Sequence, residues 1–200
     1  MFITFEGGEG SGKTSIIDQV YNYFNKTKQV LVSREPGGSF IAEAIRDLVL
    51  NPEYKGMAFQ TEALLYAAAR AQHLDDVLIP AIKEKDLVLC DRYIDSSFAY
   101  QGYARGLGME YIEKINDYAM NHLPEITFYI DVDPEIGMAR IQSRDKYDRL
   151  DQEALDFHKS VRQGYLEIAQ KYPKRIIVID GHKTLQEVID EIISILESKL

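Results

Sequence analysis

The sequence predicts an α/β fold in which a five-stranded parallel sheet is covered by helices on both faces. Short apolar runs alternate along the chain with longer segments of helical periodicity. Several of these runs are apolar on both alternating faces, which is typical of parallel strands buried between two layers of helices. A glycine-rich segment follows the first run and opens the first helical segment. Together these observations favour a layered sheet with a ligand site at one edge.

Strands and helices alternate in a regular order. The predicted strands are residues 2–6, 29–34, 86–90, 126–131 and 175–180. Helical periodicity fills the gaps at residues 13–27, 39–50, 58–82, 109–121, 134–143, 151–171 and 184–198. Parallel strands joined in this way require right-handed crossovers. Because the sequence has no internal repeat or linker, we expect a single domain over residues 1–200.

Composition excludes several classes of protein. The 23 basic and 32 acidic side chains give a net charge of −9, which argues against nucleic acid as a partner. A small anionic ligand is still possible, because a few basic groups can converge in one cleft. A single cysteine, Cys90, excludes a disulfide framework and a multi-cysteine zinc site. No apolar stretch approaches the ~20 residues of a membrane span, and no leader pattern precedes the first strand. We therefore expect a cytoplasmic protein without a membrane partner.

The glycine-rich segment has the pattern of a phosphate-binding loop. Gly7-Gly-Glu-Gly-Ser-Gly-Lys-Thr14 fits G-x-x-x-x-G-K-[ST] between a strand and a helix. Glycines allow backbone N–H groups to surround phosphate oxygens, while Lys13 reaches the β- and γ-phosphates and the Thr14 hydroxyl can ligate Mg²⁺. The alternative is an accidental match in a turn, which the strand–loop–helix context disfavours. The predicted ATP-binding residues are Gly7, Gly8, Glu9, Gly10, Ser11, Gly12, Lys13, Thr14 and Ser15.

Arginines at strand ends favour a kinase over a GTPase. A guanine-binding N-K-x-D segment is missing, since residues 25–28 read Asn-Lys-Thr-Lys. Arg34 and Arg92 follow the second and third strands, at the sheet edge that also carries the phosphate loop. A kinase with a phosphorylated acceptor needs such cations to bring two anions together. Taken alone, each arginine could instead be a surface residue paired with a neighbouring acid.

Five segments in family order resemble the thymidylate kinases, the P-loop kinases that phosphorylate dTMP to dTDP. They are FEGGEGSGKT (5–14), REPGG (34–38), TEALLYAAAR (61–70), DRYIDSS with YQG (91–97 and 100–102), and RLDQE (149–153). The resemblance implies the nucleoside monophosphate kinase fold with a short lid at about residues 140–150. It also implies ATP as donor, Mg²⁺ as cofactor, a homodimer packed through long helices, and a place in dTTP biosynthesis. The pattern is similar to the bacterial type, with an acid in the phosphate loop and basic residues in the lid.

The resemblance also implies roles around the two phosphates. Arg34 and Arg92 hold the dTMP phosphate, for which the guanidinium fork is well suited. Asp91 orients Mg²⁺ together with Thr14, although it could instead cap the following segment. Glu9 contacts the acceptor's 3′-hydroxyl or metal-bound water. Two further residues, Glu35 and Arg46, line the acceptor side.

On the base side, the resemblance implies that Tyr66 stacks on thymine and Arg70 donates to its O4 carbonyl. The i, i+4 spacing places both on one helix face, but without the resemblance a tyrosine on an apolar stripe is more often a core residue. Ser97 and Gln101 read the N3–H edge, with Ser96 beside them. By the same resemblance, Tyr100 crowds the 2′ position and disfavours ribonucleotides.

The predicted lid is rich in charge. Residues 142–149 are the most polar segment without apolar periodicity, and we expect a mobile loop there. Arginines that neutralise a transferring phosphoryl group raise its transfer rate, and the candidates are Arg140, Arg144 and Arg149, with Lys146 between them. The alternative is a solvated loop in which these cations pair with Asp145 and Asp148.

The predicted function is ATP-dependent phosphorylation of dTMP to dTDP, with Lys13, Asp91, Arg92 and the three lid arginines as catalytic residues. One alternative is a kinase for another nucleoside monophosphate, such as dUMP. The other is a non-catalytic P-loop module that binds nucleotide.

Overall fold

The computed structural model describes residues 1–141 and 148–200 and contains one five-stranded sheet. The order is β2-β3-β1-β4-β5, and every neighbouring pair is parallel. The strands are β1 (Phe2–Glu6), β2 (Val30–Arg34), β3 (Leu87–Asp91), β4 (Ile126–Asp131) and β5 (Ile176–Asp180). Each predicted strand agrees with the structure to within one residue at either end.

Helices cover the two faces of this sheet. They are α1 (Lys13–Phe24), α2 (Phe40–Leu50), α3 (Phe59–His73), α4 (Ile79–Glu84), α5 (Ile94–Ser97), α6 (Met109–Ile115), α7 (Asp117–Met120), α8 (Pro134–Ile141), α9 (Leu155–Lys171) and α10 (Leu185–Glu197). Two π-helical segments continue neighbouring helices. Leu74–Leu78 joins α3 to α4, and Phe98–Ala104 extends α5.

Successive side chains of β1 point to opposite faces of the sheet, and each face packs against its own layer of helices. Phe2 packs on the side of α3, α6 and α9, whereas Ile3 and Phe5 pack on the side of α1 and α10. All five residues of β1 are buried because the strand lies at the centre of the sheet. The two apolar clusters therefore pack on opposite faces of the central strands. The carboxyl ends of these strands lead into the loops of the candidate site.

Three helical predictions need correction. The segment Ile94–Ala104 is helical, and the prediction missed it because π-turns do not repeat apolar residues every 3.6 positions. The predicted helix 109–121 is interrupted at Asn116. The helix predicted from residue 151 begins at Leu155, since Asp148 Oδ1 accepts the amides of Leu150 and Asp151 in a preceding turn. Within the described ranges, no helix is both long and apolar enough to span a bilayer.

Candidate active site

The phosphate loop connects β1 to α1 in a tight conformation. Gly10 and Gly12 have positive φ angles of 67° and 86°, which glycine adopts without strain. Lys13 folds over the loop, and its Nζ donates to the Gly7 carbonyl at 3.1 Å and the Ser11 hydroxyl at 3.2 Å. The Lys13 side chain is buried, so its ammonium group is held against the loop and has little contact with solvent.

A cavity of about 460 Å³ extends from this loop to α3 and the segment after β3. It brings together most of the predicted site. Its lining includes Glu9 to Ser15 of the loop and, opposite them, Arg34, Glu35, Arg46, Tyr66, Arg70, Asp91, Arg92, Ser96, Ser97, Tyr100 and Gln101. Every residue predicted to bind dTMP therefore lines one cavity. Gly7 and Gly8 lie at the start of the loop, outside the lining residues.

Arg92 is the central cation of this cavity. Its backbone is left-handed, with φ of 68°, and its guanidinium donates to Glu9 Oε1 at 2.7 Å and to the Gly7 carbonyl at 3.0 Å. It also lies over the Tyr100 ring, 5.2 Å from the centroid. Burial favours the protonated form of Glu9, but Arg92, Lys13 and a hydrogen bond from Tyr100 prevail and lower the pKa of Glu9 to about 2. The cavity thus holds a fixed ion pair beside the phosphate loop.

Two arginines flank the entrance to the acceptor side. Arg34 is half exposed and pairs with Glu43 at 2.9 Å, so the surface ion pair named as its alternative is present while the side chain also lines the cavity. Arg46 donates to the Pro36 carbonyl at 2.6 Å. Both side chains line the cavity.

Asp91 has the environment of a metal ligand. Its Oδ1 is buried, and it has no hydrogen-bond partner in the part of the chain that the structure describes. Thr14 lines the same cavity, and carboxylate and hydroxyl oxygens suit Mg²⁺. The residues present therefore fit the predicted ion. The alternative role of Asp91 as a cap is taken by Glu6, whose Oε1 accepts the amides of Tyr93 and Ser96 at the start of α5.

The base side of the cavity is buried and polar. Tyr66 is 8% exposed and belongs to the apolar core, yet its ring also lines the cavity, so both of its predicted roles are compatible with its position. Ser97 accepts a hydrogen bond from Arg70 at 3.0 Å, and the Gln101 amide donates to Glu62 Oε1 at 2.8 Å. These polar side chains are thus oriented by buried neighbours.

The lid arginines occupy different positions. Arg140, near the end of α8, donates to the Gly10 carbonyl at 3.2 Å. Arg149 does not line the cavity: it is buried, donating to Glu62 Oε2 at 2.7 Å and the Val49 carbonyl at 3.0 Å. Arg144 and Lys146 lie outside the described residues. The catalytic role of Arg149 stays a prediction, which requires its guanidinium to leave this ion pair.

Sequence reasoning missed two residues that support Arg92. Glu6 is fully buried at the end of β1, and its Oε2 accepts the hydroxyls of Ser96 at 2.6 Å and Tyr165 at 2.7 Å. Burial and the nearby Asp95 raise the pKa of Glu6 to about 7. Tyr165, from α9, also lies 3.3 Å from Arg92 Nη1. A charged residue ending an apolar strand was a usable signal for Glu6, whereas nothing local marked Tyr165.

Known proteins that are similar in sequence identify the family to which this chain belongs. The family model described as thymidylate kinase matches residues 5–192. The chain belongs to the thymidylate kinase family. Among curated proteins, a thymidylate kinase of Acholeplasma laidlawii is 50% identical over 191 residues, covering 94% of both chains. One from Bacillus cereus is 48% identical over 204 residues, covering 100% of this chain and 98% of the other.

A solved structure of a thymidylate kinase is similar to this chain over almost its whole length. The crystal structure of a thymidylate kinase from Ehrlichia chaffeensis is 34% identical, covers 98% of each chain and has a TM-score of 0.82. Membership in the thymidylate kinase family confirms the predicted fold and the predicted enzyme class, a nucleoside monophosphate kinase that uses ATP. It also supports dTMP as acceptor over the two alternatives.

Proposed function

We propose that the chain transfers the γ-phosphoryl group of ATP to the 5′-phosphate of dTMP within the cavity between the phosphate loop and α3. The observation that carries this proposal is one continuous cavity lined by Lys13 at one end and by Arg92 and Arg70 further along. A donor triphosphate on the loop then faces an acceptor phosphate held by arginine. Such positioning and charge neutralisation supply most of the catalysis in phosphoryl transfer.

Arg92 and Arg34 bind the acceptor phosphate in this mechanism. Each charge-assisted hydrogen bond contributes about 1.5–3 kcal/mol, so two or three offset the repulsion between acceptor and donor anions. Glu9 holds Arg92 in place by an ion pair, and it also accepts a hydrogen bond from the Tyr100 hydroxyl at 2.8 Å. Through Tyr100, the Glu9 carboxylate is linked to the sugar side of the acceptor. Arg46 and Glu35 complete the acceptor side.

Mg²⁺ would be held by Thr14 and by the buried Asp91 Oδ1, partly through water. When bound, the ion neutralises charge on the β- and γ-phosphates. Lys13 and the loop amides orient the same phosphates for in-line attack. Arg140, already against the loop at Gly10, supplies positive charge from the lid side, together with Arg144 and Arg149 in the predicted roles.

Tyr66 stacks on the base, while Arg70, Ser97 and Gln101 provide the polar contacts with its edge. Tyr100 narrows the sugar pocket against ribonucleotides. We also propose that residues 1–200 act as one kinase domain in the cytoplasm; the free, buried Cys90 is consistent with a reducing compartment.

An acceptor panel tests the reaction. The protein is given MgATP with dTMP, dUMP, UMP, dCMP, AMP or GMP, and the diphosphate product is measured. We expect dTMP to be preferred, with dUMP second, because burying one methyl group contributes only about 0.8 kcal/mol. Preference for AMP or GMP would support a kinase for another nucleoside monophosphate. Slow ATP hydrolysis without phosphoryl transfer to any acceptor would support a non-catalytic P-loop module that binds nucleotide.

Arg92→Ala separates the acceptor site from the donor site. We expect kcat/KM for dTMP to fall about 100-fold or more, because a charged partner of the acceptor phosphate is lost, with ATP affinity changed far less. Lys13→Ala is the matched variant at the donor end and should abolish turnover while retaining the fold. Equal losses of ATP and dTMP binding in Arg92→Ala would show that the acceptor site is misplaced.

We further propose that a second copy of the chain covers an apolar face of α2 and α3. The two helices pack together, and they carry large apolar side chains that are half or more exposed, namely Phe40, Ile41 and Leu64, with the exposed Leu48 further along α2. Phe40 alone is 93% exposed. An apolar face on long helices is typical of an interface between copies of the same chain, as the resemblance to thymidylate kinases implies.

A further inference from the structure

The guanidinium of Arg70 is held by the protein at almost every donor. Its Nε donates to Glu35 Oε2 at 2.7 Å, and its Nη2 donates to the Tyr93 carbonyl at 3.1 Å. Its Nη1 donates both to Ser97 Oγ at 3.0 Å and to Asn116 Oδ1 at 2.6 Å. A guanidinium has five N–H donors in a rigid plane. Within the described residues these bonds take four of them, which leaves one N–H of Nη2 for the cavity that Arg70 lines.

Asn116 fixes one edge of that plane from outside the cavity. It lies between α6 and α7, is 4% exposed and is not among the residues lining the cavity. Its Nδ2 donates to the Ile112 carbonyl at 2.9 Å, so the amide is oriented with Oδ1 towards Arg70. Asn116 also ends α6, which explains the interruption of the predicted helix 109–121. The break places a rigid acceptor against Nη1.

Glu35 fixes the other edge. Its Oε1 accepts from His73 Nδ1 at 3.1 Å, and His73 Nε2 lies 2.6 Å from the Ser33 hydroxyl. In the neutral imidazole, a proton on Nδ1 faces the carboxylate and Nε2 accepts from Ser33. Arg70 is therefore held between the end of β2 and the junction of α6 and α7, and rotation of the guanidinium would break these bonds.

We propose that Asn116 is a positioning residue for base selection: by fixing Arg70, it leaves a single N–H donor directed at the base edge. This N–H donates a hydrogen bond to a carbonyl oxygen, which thymine and uracil present at C4, and it is unfavourable beside the amino group that cytosine presents there. A mismatch leaves buried polar groups unpaired, which discriminates more strongly than the loss of apolar contact. The inference rests on the proposed function, which places the base beside Arg70.

The test is the ratio of kcat/KM for dTMP to that for dCMP in Asn116→Ala. We expect this ratio to fall at least about tenfold, because one charge-assisted hydrogen bond no longer holds the guanidinium in place. KM for dTMP should rise, with kcat and KM for ATP within about twofold of wild type. Asn116→Asp keeps an acceptor for Arg70 and should restore most of the ratio.

Asn121→Ala is the matched control. Asn121 is exposed, and its Nδ2 donates to the Asp117 carbonyl four residues earlier, as Asn116 does to Ile112, but it has no contact with Arg70 in the described residues. It should leave the ratio unchanged. Should Asn116→Ala fail to fold by circular dichroism, Asn116→Ser carries the same test. An unchanged ratio in a folded variant, or failure of both to fold, would overturn the proposal. A wild-type protein that does not use dTMP would instead overturn the proposed function.

Discussion

At the level of single residues, the site depends on charges that are paired before any substrate enters. Glu9 lies in a phosphate-binding loop, where its negative charge would repel a bound phosphate unless it is neutralised. Arg92 and Lys13 neutralise it, and the pKa of Glu9 falls to about 2 despite burial. The anion therefore contributes to folding as well as to the site, because it is more favourable in the folded chain than in the unfolded one.

Glu9→Gln should therefore change the pH dependence of stability. A carboxyl whose pKa is lowered stabilises the fold above its ordinary pKa near 4.5, and this contribution is lost as pH falls towards 2. We expect wild type to exceed Glu9→Gln in free energy of unfolding by up to about 3 kcal/mol at pH 7, with the difference shrinking between pH 5 and pH 3. Urea denaturation at several pH values measures it.

The raised pKa of Glu6 has the opposite effect on stability, which falls as pH rises from about 4.5 to about 7. Because wild type and Glu9→Gln both carry Glu6, this contribution largely cancels in the difference between their free energies of unfolding. A difference between wild type and Glu9→Gln that does not vary between pH 7 and pH 3 would contradict the role assigned to the Glu9–Arg92 pair.

At the level of elements, α8 packs against the phosphate loop and leads into the predicted lid. A Cβ on Gly10 would lie 2.1 Å from the Gly137 carbonyl oxygen, and a Cβ on Gly137 would lie 2.1 Å from the Glu9 carbonyl oxygen. The two backbones touch without space for a methyl group. Arg140 lies one turn further along α8 and donates to Gly10. The glycine contact thus fixes the position of α8, and with it Arg140, relative to the phosphate loop.

Gly137→Ala should displace α8 from the loop. Inserting a methyl group into such a contact costs about 1–3 kcal/mol, and we expect kcat/KM for ATP to fall at least about tenfold as Arg140 loses its position. Gly56→Ala is the matched control, because Gly56 is exposed and a Cβ there meets nothing within 4 Å. Steady-state kinetics with near-wild-type activity in Gly137→Ala would show that the loop tolerates a shifted α8.

At the level of the whole molecule, exposed apolar side chains are concentrated on one pair of neighbouring helices. The side of α1 and α10 buries most of its apolar residues in one cluster, although Leu185 is exposed at the start of α10. On the other side, α2 and α3 turn Phe40, Ile41 and Leu64 to solvent. Exposure of large apolar side chains to water is unfavourable, and in the proposed dimer a second copy of the chain would remove them from water.

Leu64→Glu should therefore weaken the dimer. Wild type should sediment at about 46 kDa, twice the chain mass of 22.9 kDa, whereas the variant should shift towards the monomer because a buried, unpaired charge costs several kcal/mol. Leu185→Glu is the control, since Leu185 is equally exposed, at 49%, but lies on α10. A monomeric wild type, or equal effects of the two substitutions, would contradict the assigned interface.

Local features of the chain were predictable because the forces that specify them act within a few residues. The phosphate loop lies within eight consecutive positions, and its geometry follows from glycine conformation and the start of a helix. Buried strands are apolar on both faces, so their limits were correct to within one residue. The strand-end residues Arg34, Asp91 and Arg92 of the cavity lining were predictable as well, because parallel strands bring their carboxyl ends to one edge. The lining residues on helices were predicted only from the resemblance to the thymidylate kinases.

What only the tertiary structure decided is how these residues are held. Arg70 meets Asn116 across 46 positions, and Tyr165 meets Glu6 across 159. Likewise, Arg149 belongs by sequence to the lid, yet its guanidinium pairs with the buried Glu62. Buried polar groups must find partners wherever the packed chain supplies them, and no periodicity encodes that choice. The sequence by itself determined the fold and the chemistry at the edge of the sheet, while packing determined which side chains orient that chemistry.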